Sequence, residues 1–244
     1  MIIQNLLDLV TMKRTLFFMS LLLGLACSMT FVSCSDDEEL SPLKTIPNGV
    51  KAVDLGLPSG TLWANMNVGA LKEEGIGYHF AWGETEPRSD YDWGTYKWCN
   101  GSWRTMTKYC TESYYGYNGF TDNKTELDPM DDAAYVNWGK DWCMPSEEQF
   151  RELINSSYTN TKYIKKNGVY GLKITSKMNG NSIFLPASGD SKGTSGGHCW
   201  SRTLYPDQSS NAWNLSFYNS DVYLDHAPRC RADIHNIRPV RNIK

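Results

Sequence analysis

Several features are scarce or missing in this 244-residue chain, and each omission removes a class of function. No apolar run approaches the roughly 20 residues that a membrane-spanning helix needs; the strongest, residues 16–25, is about ten long. Histidine occurs four times, at positions 79, 198, 226 and 235, with no H-x-x-x-H spacing, so a clustered zinc or iron centre is not expected. Basic residues are not in excess. The 24 Lys and Arg against 27 Asp and Glu leave a net charge of −3, which gives no electrostatic footprint for nucleic acid or for an anionic membrane. No glycine-rich phosphate loop, nucleophile elbow or paired general acid and base emerges, and neither repeats nor heptads are present.

What is present begins with an address. Lys13 and Arg14 precede residues 16–25, the order of a secretory signal peptide whose true start is expected at Met12. Phe31-Val32-Ser33-Cys34 reads as a loose lipobox, which makes Cys34 the expected lipidation site; Cys27, with Gly24 at the position of the usual apolar residue, fits less well. Several acyl chains on one cysteine give a stable membrane anchor where a single chain is marginal. Ser35-Asp36-Asp37-Glu38-Glu39 then reads as a solvated tether, and it resembles the export signal of Bacteroidota surface lipoproteins. The expected layout is a signal peptide at 1–33, a lipidated acidic tether at 34–49 and one domain at 50–244. Removing Asp8, Lys13 and Arg14 with the signal moves the charge from −3 to −4. An outer-membrane lipoprotein facing the exterior is expected, with the periplasmic face as the alternative.

The body reads as strand-rich with two helices. Asp128-Pro129 predicts an N-cap followed by proline at the first helical position, with Ala134 and Trp138 on one face and Gly139 as the stop. Ser146-Glu147-Glu148-Gln149 has capping-box spacing, and Phe150, Leu153 and Ile154 mark its apolar face. Trp142-Cys143-Met144-Pro145 passes between the two helices, buried. Strands are predicted around Ala52–Leu55, Leu62–Val68 and Gly77–Trp82, in a hairpin from Gly168 to Pro186 turning at Asn179-Gly180, and in the tail at 199–202, 212–217, 222–224 and 237–241. Residues 83–120 form a long aromatic insertion, and Gly189 to Gly197 reads as a flexible loop. The predicted compartment permits disulfides; Cys99–Cys110 and Cys199–Cys230 are the suggested pairs, with Cys143 left as a buried thiol, although spacing does not decide connectivity.

Val53-Asp54-Leu55-Gly56-Leu57, Asn67-Val68-Gly69-Ala70, Phe80-Ala81-Trp82-Gly83-Glu84, Trp142-Cys143-Met144-Pro145-Ser146, Leu185-Pro186-Ala187-Ser188-Gly189, Trp200-Ser201 and Ile237-Arg238-Pro239-Val240 together resemble the Fibrobacter succinogenes major paralogous domain. Cys143 departs from the arginine usual before Met-Pro in that family. The resemblance implies an α+β domain of C-type-lectin-like fold, related to formylglycine-generating enzymes, with two helices, several short antiparallel strands and long irregular loops. That fold hosts sugar binding, protein binding and oxidase chemistry, so the site must decide the function.

An oxidase of the formylglycine type needs two reactive cysteines close together, and Cys199 and Cys230 are the only late pair. Calcium-dependent sugar binding is incomplete, because Arg88 follows Glu86-Pro87 and Leu215 follows Trp213-Asn214. Asp128, Asp131 and Asp132 are the remaining oxygen set for calcium, and helix capping already accounts for them. The tail instead has the composition of a binding surface, rich in Tyr, Trp, Asn and Ser. It also resembles the variable segment of C-type-lectin-like proteins diversified by retroelements. Trp200, Arg202, Tyr205, Trp213, Asn214, Tyr218, Asn219, Tyr223, Asp225 and His226 are the expected ligand contacts, joined by aromatics of the insertion between Tyr91 and Tyr117. The expectation is a non-enzymatic surface module for a glycan or protein ligand, with no cofactor; a structural subunit of the cell envelope and an oxidase are the alternatives.

Overall fold

The computed structural model describes residues 46–188, 196–225 and 230–241. Cys34, the expected signal peptide, most of the expected tether, residues 189–195 and His226 lie outside them, as does the side chain of Asp225. Within the described residues, two short α-helices and nine strands alternate with long irregular segments, so the domain is α+β. The strands form three small antiparallel sheets. The first joins β1 (Ala52–Asp54) and β2 (Leu62–Ala64) to β9 (Val240–Arg241), so the two ends of the domain close on each other. The second is β3 (Thr159–Lys166), β4 (Val169–Ser176) and β5 (Ser182–Pro186), and the third β6 (Gly196–Leu204), β7 (Ala212–Tyr218) and β8 (Asp221–Asp225). No helix among these residues is long and apolar enough to cross a membrane.

Helix α1 (Ala133–Trp138) starts later than the Asp-Pro signal predicts. Pro129–Asp131 makes one 3₁₀ turn that Asp128 does not cap, because Lys108 and Lys124 hold the Asp128 carboxylate at 2.6 and 2.7 Å. The cap is Asp132, whose Oδ1 accepts from the Ala134 and Tyr135 amides while Oδ2 accepts from Met144 at 2.8 Å. One carboxylate thus ties the helix start to the Trp142–Pro145 segment, where Trp142, Met144 and Pro145 are buried. Helix α2 (Glu147–Leu153) carries the full capping box of Ser146 and Gln149, and buries Phe150 and Leu153.

The second sheet differs from expectation at its turns. Asn167 and Gly168, with φ of 47° and 89°, link β3 to β4, and Lys166 pairs directly with Val169. These two residues make the tight two-residue hairpin, and β3 is a full partner strand that sequence patterning misses because its apolar positions are sparse. At the expected turn only Gly180 has positive φ, and the loop is longer. Gly77–Trp82 forms no strand beyond the single bridge of Phe80 to His235, and Gly196-Gly197, expected in a loop, opens β6.

Three apolar clusters fill the interior. Trp82, Trp138, Trp142, Trp200 and Ile237 belong to one, Trp63, Phe150, Leu172, Leu215 and Val240 to a second, and Tyr96, Met106, Cys110 and Ala232 to a third beneath the aromatic insertion. Two fully buried arginines hold the last segment to them. Arg231 donates to the carbonyls of Tyr109, Ser209 and Lys108 and to the Tyr96 hydroxyl, under the Trp82 ring at 4.7 Å. Arg238 donates to Asn67 Oδ1 and to the carbonyls of Ala64 and Phe184; burial pushes its pKa down to about 10. Arg231 satisfies carbonyls of irregular segments, and Arg238 those of Ala64 in β2 and Phe184 in β5.

All five body cysteines are free, so neither suggested disulfide forms. Cys99 and Cys110 donate their thiols to the carbonyls of Trp93 and Glu112 instead. Cys199 lies in the second cluster, whereas Cys230 meets the Tyr91 hydroxyl.

Candidate functional site

Strand alternation separates the expected contact residues. Successive side chains of β7 point to opposite faces of the sheet. Leu215 and Phe217 enter the core on one face, with Cys199 of β6 beside them. Trp213 is of that parity, and it packs edge-on to Tyr205 at 5.2 Å with the Arg151 guanidinium of α2 over its ring at 5.3 Å. Asn214, Ser216 and Tyr218 take the other face, opposite Trp200, His198 and Gly196 on β6, and Tyr223 of β8 pairs with Ser216.

Along this second face burial falls away steadily. Trp200 and Asn214 are 0% exposed, His198 is half-buried, and Tyr218 and Tyr223 reach 50% and 54%. Trp200 and Asn214 are therefore corrected from contact residues to foundation. The reason is their position opposite Phe80 and the first cluster: the Trp200 ring donates its Nε1–H to the Phe80 carbonyl at 2.9 Å. The His235 ring lies against Trp200 at 4.3 Å and stacks on His198 at 4.8 Å. Ser216 gives its one hydroxyl proton to Asn214 Oδ1 at 2.7 Å, so the proton in its 2.8 Å bond with His198 comes from Nδ1 of the ring. The open end thus presents two tyrosines and an exposed Asn219 beside an imidazole anchored through Nδ1 to Ser216. His198, Ser216 and His235 are absent from the expected contacts, yet the alternation of His198-Cys199-Trp200 and Asn214-Leu215-Ser216-Phe217 would have placed the first two on this face.

Arg202 is also reassigned. Its Nε pairs with Glu126 at 3.0 Å and its Nη1 donates to the Met144 carbonyl at 3.1 Å, reaching Cys143 Sγ at 3.7 Å. A guanidinium from β6 therefore stands beside Cys143 and fastens the Met144-Pro145 segment. In the insertion, Tyr96 and Tyr109 are buried, while Tyr91, Trp103, Tyr114 and Tyr117 remain exposed, with Arg104 stacked on Trp103 and Tyr114 at 4.3 and 4.5 Å. Tyr96 and Tyr109 thus belong to the core rather than to a contact surface.

The reactive groups are muted by their surroundings. Burial pushes the Cys199 and Cys143 thiols up to about 11, which suppresses the thiolate at neutral pH. Burial likewise raises the Asp132 carboxyl to about 6, against the pull of its three amide donors. The three aspartates considered for calcium are engaged: Asp128 by two lysines, Asp131 by Lys97, Lys108 and the Tyr109 hydroxyl, and Asp132 by backbone amides. Among the described residues no group of three or more His, Cys, Asp or Glu is arranged to hold a metal ion. No family model, curated protein or solved structure matches this chain significantly.

Proposed function

We propose that residues 50–241 form a C-type-lectin-like binding module of the Fibrobacter succinogenes major paralogous kind, carried on an acidic tether lipidated at Cys34. It recognises a glycan or a protein at the cell surface through the open end of the β6–β7–β8 sheet. The observation that carries this reading is the graded face: two half-exposed tyrosines stand on a rigid base of Trp200, His235 and Asn214. Aromatic side chains held this way offer large contact area at low cost in conformational entropy. Of the ten contacts expected from composition this reading keeps Tyr218, Asn219 and Tyr223 and adds His198; Tyr205 and Trp213 form a separate patch beside α2, and the Asp225 side chain and His226 lie outside the described residues.

The test is a glycan and protein array probed with the purified lipoprotein and its variants. A ligand found with the wild type should lose at least tenfold in affinity with Tyr218→Ala and Tyr223→Ala together, and keep it with Trp213→Ala. Retention by the double tyrosine variant would reject this surface.

A further inference from the structure

From Asn155 to Ser188 the chain has five lysines and no acidic residue, within a protein of net charge −3. That stretch is the second sheet and its flanks. One face of it carries Leu172, Ile174, Ile183 and Leu185 into the core. Period-two alternation puts Lys162, Ile164 and Lys166 of β3, Lys173 of β4, and Ser182 and Phe184 of β5 on the other. Lys162 and Lys173 are directly paired across the strands. Like charges placed so are destabilising, and nothing in the sheet's own packing requires them.

A cavity of about 160 Å³ opens on this face, bounded by Phe184, Asn65, Glu73, Lys166, Lys173 and Ser182. One wall is already tied together: Lys166 pairs with Glu73, whose other oxygen accepts from Asn65 Nδ2 at 3.3 Å. On the opposite side, the Lys173 ammonium has no ion pair and the Ser182 hydroxyl no hydrogen bond among the described residues. Behind Phe184 the buried Arg238 adds a further positive charge, held by its bond to the Phe184 carbonyl at 2.8 Å. Lys166, Lys173 and Arg238 thus lie around a cavity with one carboxylate, and Lys162 stands beside Lys173 on the same face.

We propose that this cavity binds a sulfate or phosphate monoester group, with Lys173 Nζ and Ser182 Oγ as its donors and Lys162 at the rim. Point-charge ammoniums and a hydroxyl suit a tetrahedral oxyanion, whereas planar carboxylates are matched better by the fork of an arginine, and the one local arginine, Arg238, already donates to Asn67 and to the carbonyls of Ala64 and Phe184. The volume admits the oxyanion with part of the molecule that bears it. This site is separate from the tyrosine face and stands or falls without it.

Equilibrium dialysis of the full lipoprotein against radiolabelled sulfate and phosphate, at constant ionic strength, tests the proposal. Saturable binding of one anion per chain is expected, weakened at least tenfold by Lys173→Gln, several-fold by Ser182→Ala, and unchanged by Lys165→Gln or Tyr218→Ala. Lys165 is the control because its ammonium lies over Tyr170 on the opposite face. Absence of saturable binding, or an equal loss with Lys165→Gln, would overturn the site in favour of diffuse charge attraction. Competition by a sulfated disaccharide or by phosphatidic acid vesicles, whose headgroup is a phosphate monoester, then tells which carrier of the same oxyanion enters; displacement by either supports the site, and by neither, with sulfate bound, refutes the ester.

Discussion

Replacing Arg231 by methionine removes the donors from a buried junction while keeping most of its volume. Four acceptors lose their partner: the carbonyls of Lys108, Tyr109 and Ser209 and the hydroxyl of Tyr96, all at 2.9–3.1 Å. A stranded buried acceptor costs about 1–3 kcal/mol, so four total about 4–12 kcal/mol, and the Tyr96 hydroxyl, which keeps its own bond to the Trp82 carbonyl, places the loss in the lower part of that range. Relief from burying an unpaired guanidinium offsets several kcal/mol of that, leaving a net destabilisation of about 2–4 kcal/mol. For a domain of this size that corresponds to a fall in melting temperature of roughly 5–15 °C. The perturbation also has a location. Tyr96, Lys108 and Tyr109 belong to the aromatic insertion and Ser209 to the β6–β7 loop, so protease cleavage between residues 84 and 120 should accelerate more than cleavage in the second sheet. Thermal denaturation followed by circular dichroism, with cleavage sites mapped by mass spectrometry, reads both effects. Arg104→Met is the comparison, because its guanidinium stacks on Trp103 and Tyr114 at the surface; a loss under about 1 kcal/mol is expected there. If Arg231→Met is as mild as Arg104→Met, the idea that one buried cation fastens the insertion is wrong.

Asp132 makes stability depend on pH in the direction opposite to an ordinary paired carboxylate. Its folded pKa of about 6 exceeds the ordinary 3.8, so between those values the folded chain keeps a proton that the unfolded chain has lost, and this group's contribution rises as pH falls from 7 towards 4. Asp132→Ser keeps a capping oxygen without the titration; the stability gap between wild type and variant in urea denaturation should widen at pH 5 relative to pH 7, and an unchanged gap would contradict the assignment. Alkylation in denaturant without reductant should label Cys99, Cys110, Cys143, Cys199 and Cys230, with Cys199 unreactive in the folded protein; recovery of a disulfide-linked peptide would refute the free-thiol arrangement. Gly168→Val should cost about 1–2 kcal/mol, since a β-branched residue is forced to φ near 89° in the β3–β4 turn; a change below 0.5 kcal/mol would show that the turn relaxes freely.

Local signals were readable from short stretches of sequence. The Ser146–Gln149 capping box, the Gly139 helix stop and the strands expected at 212–217 and 222–224 lie where spacing places them, while the last strand shrinks to Val240–Arg241. The α+β character follows from the same local patterns. Expectations failed where a distant group intervened. Lys108, twenty residues earlier, takes the Asp128 carboxylate together with the neighbouring Lys124 and shifts the start of α1, and each cysteine finds a separate environment where spacing suggested pairs. The contact residues show the division most clearly. Composition marked the tail as rich in Tyr, Trp and Asn, but it carried no information on which face each would take or what would cover it. Phe80, well over a hundred residues earlier, receives Trp200 and so turns that residue inward, while Tyr218 and Tyr223 meet no such partner and stay exposed. Arg231 and Arg238 make the same point from the other side: as letters they are ordinary surface residues, and they are buried because loops remote in sequence bring carbonyls to them. Residue type and spacing set the elements of this chain; exposure, pairing and charge environment were settled when those elements packed, since each depends on atoms that sequence distance does not connect.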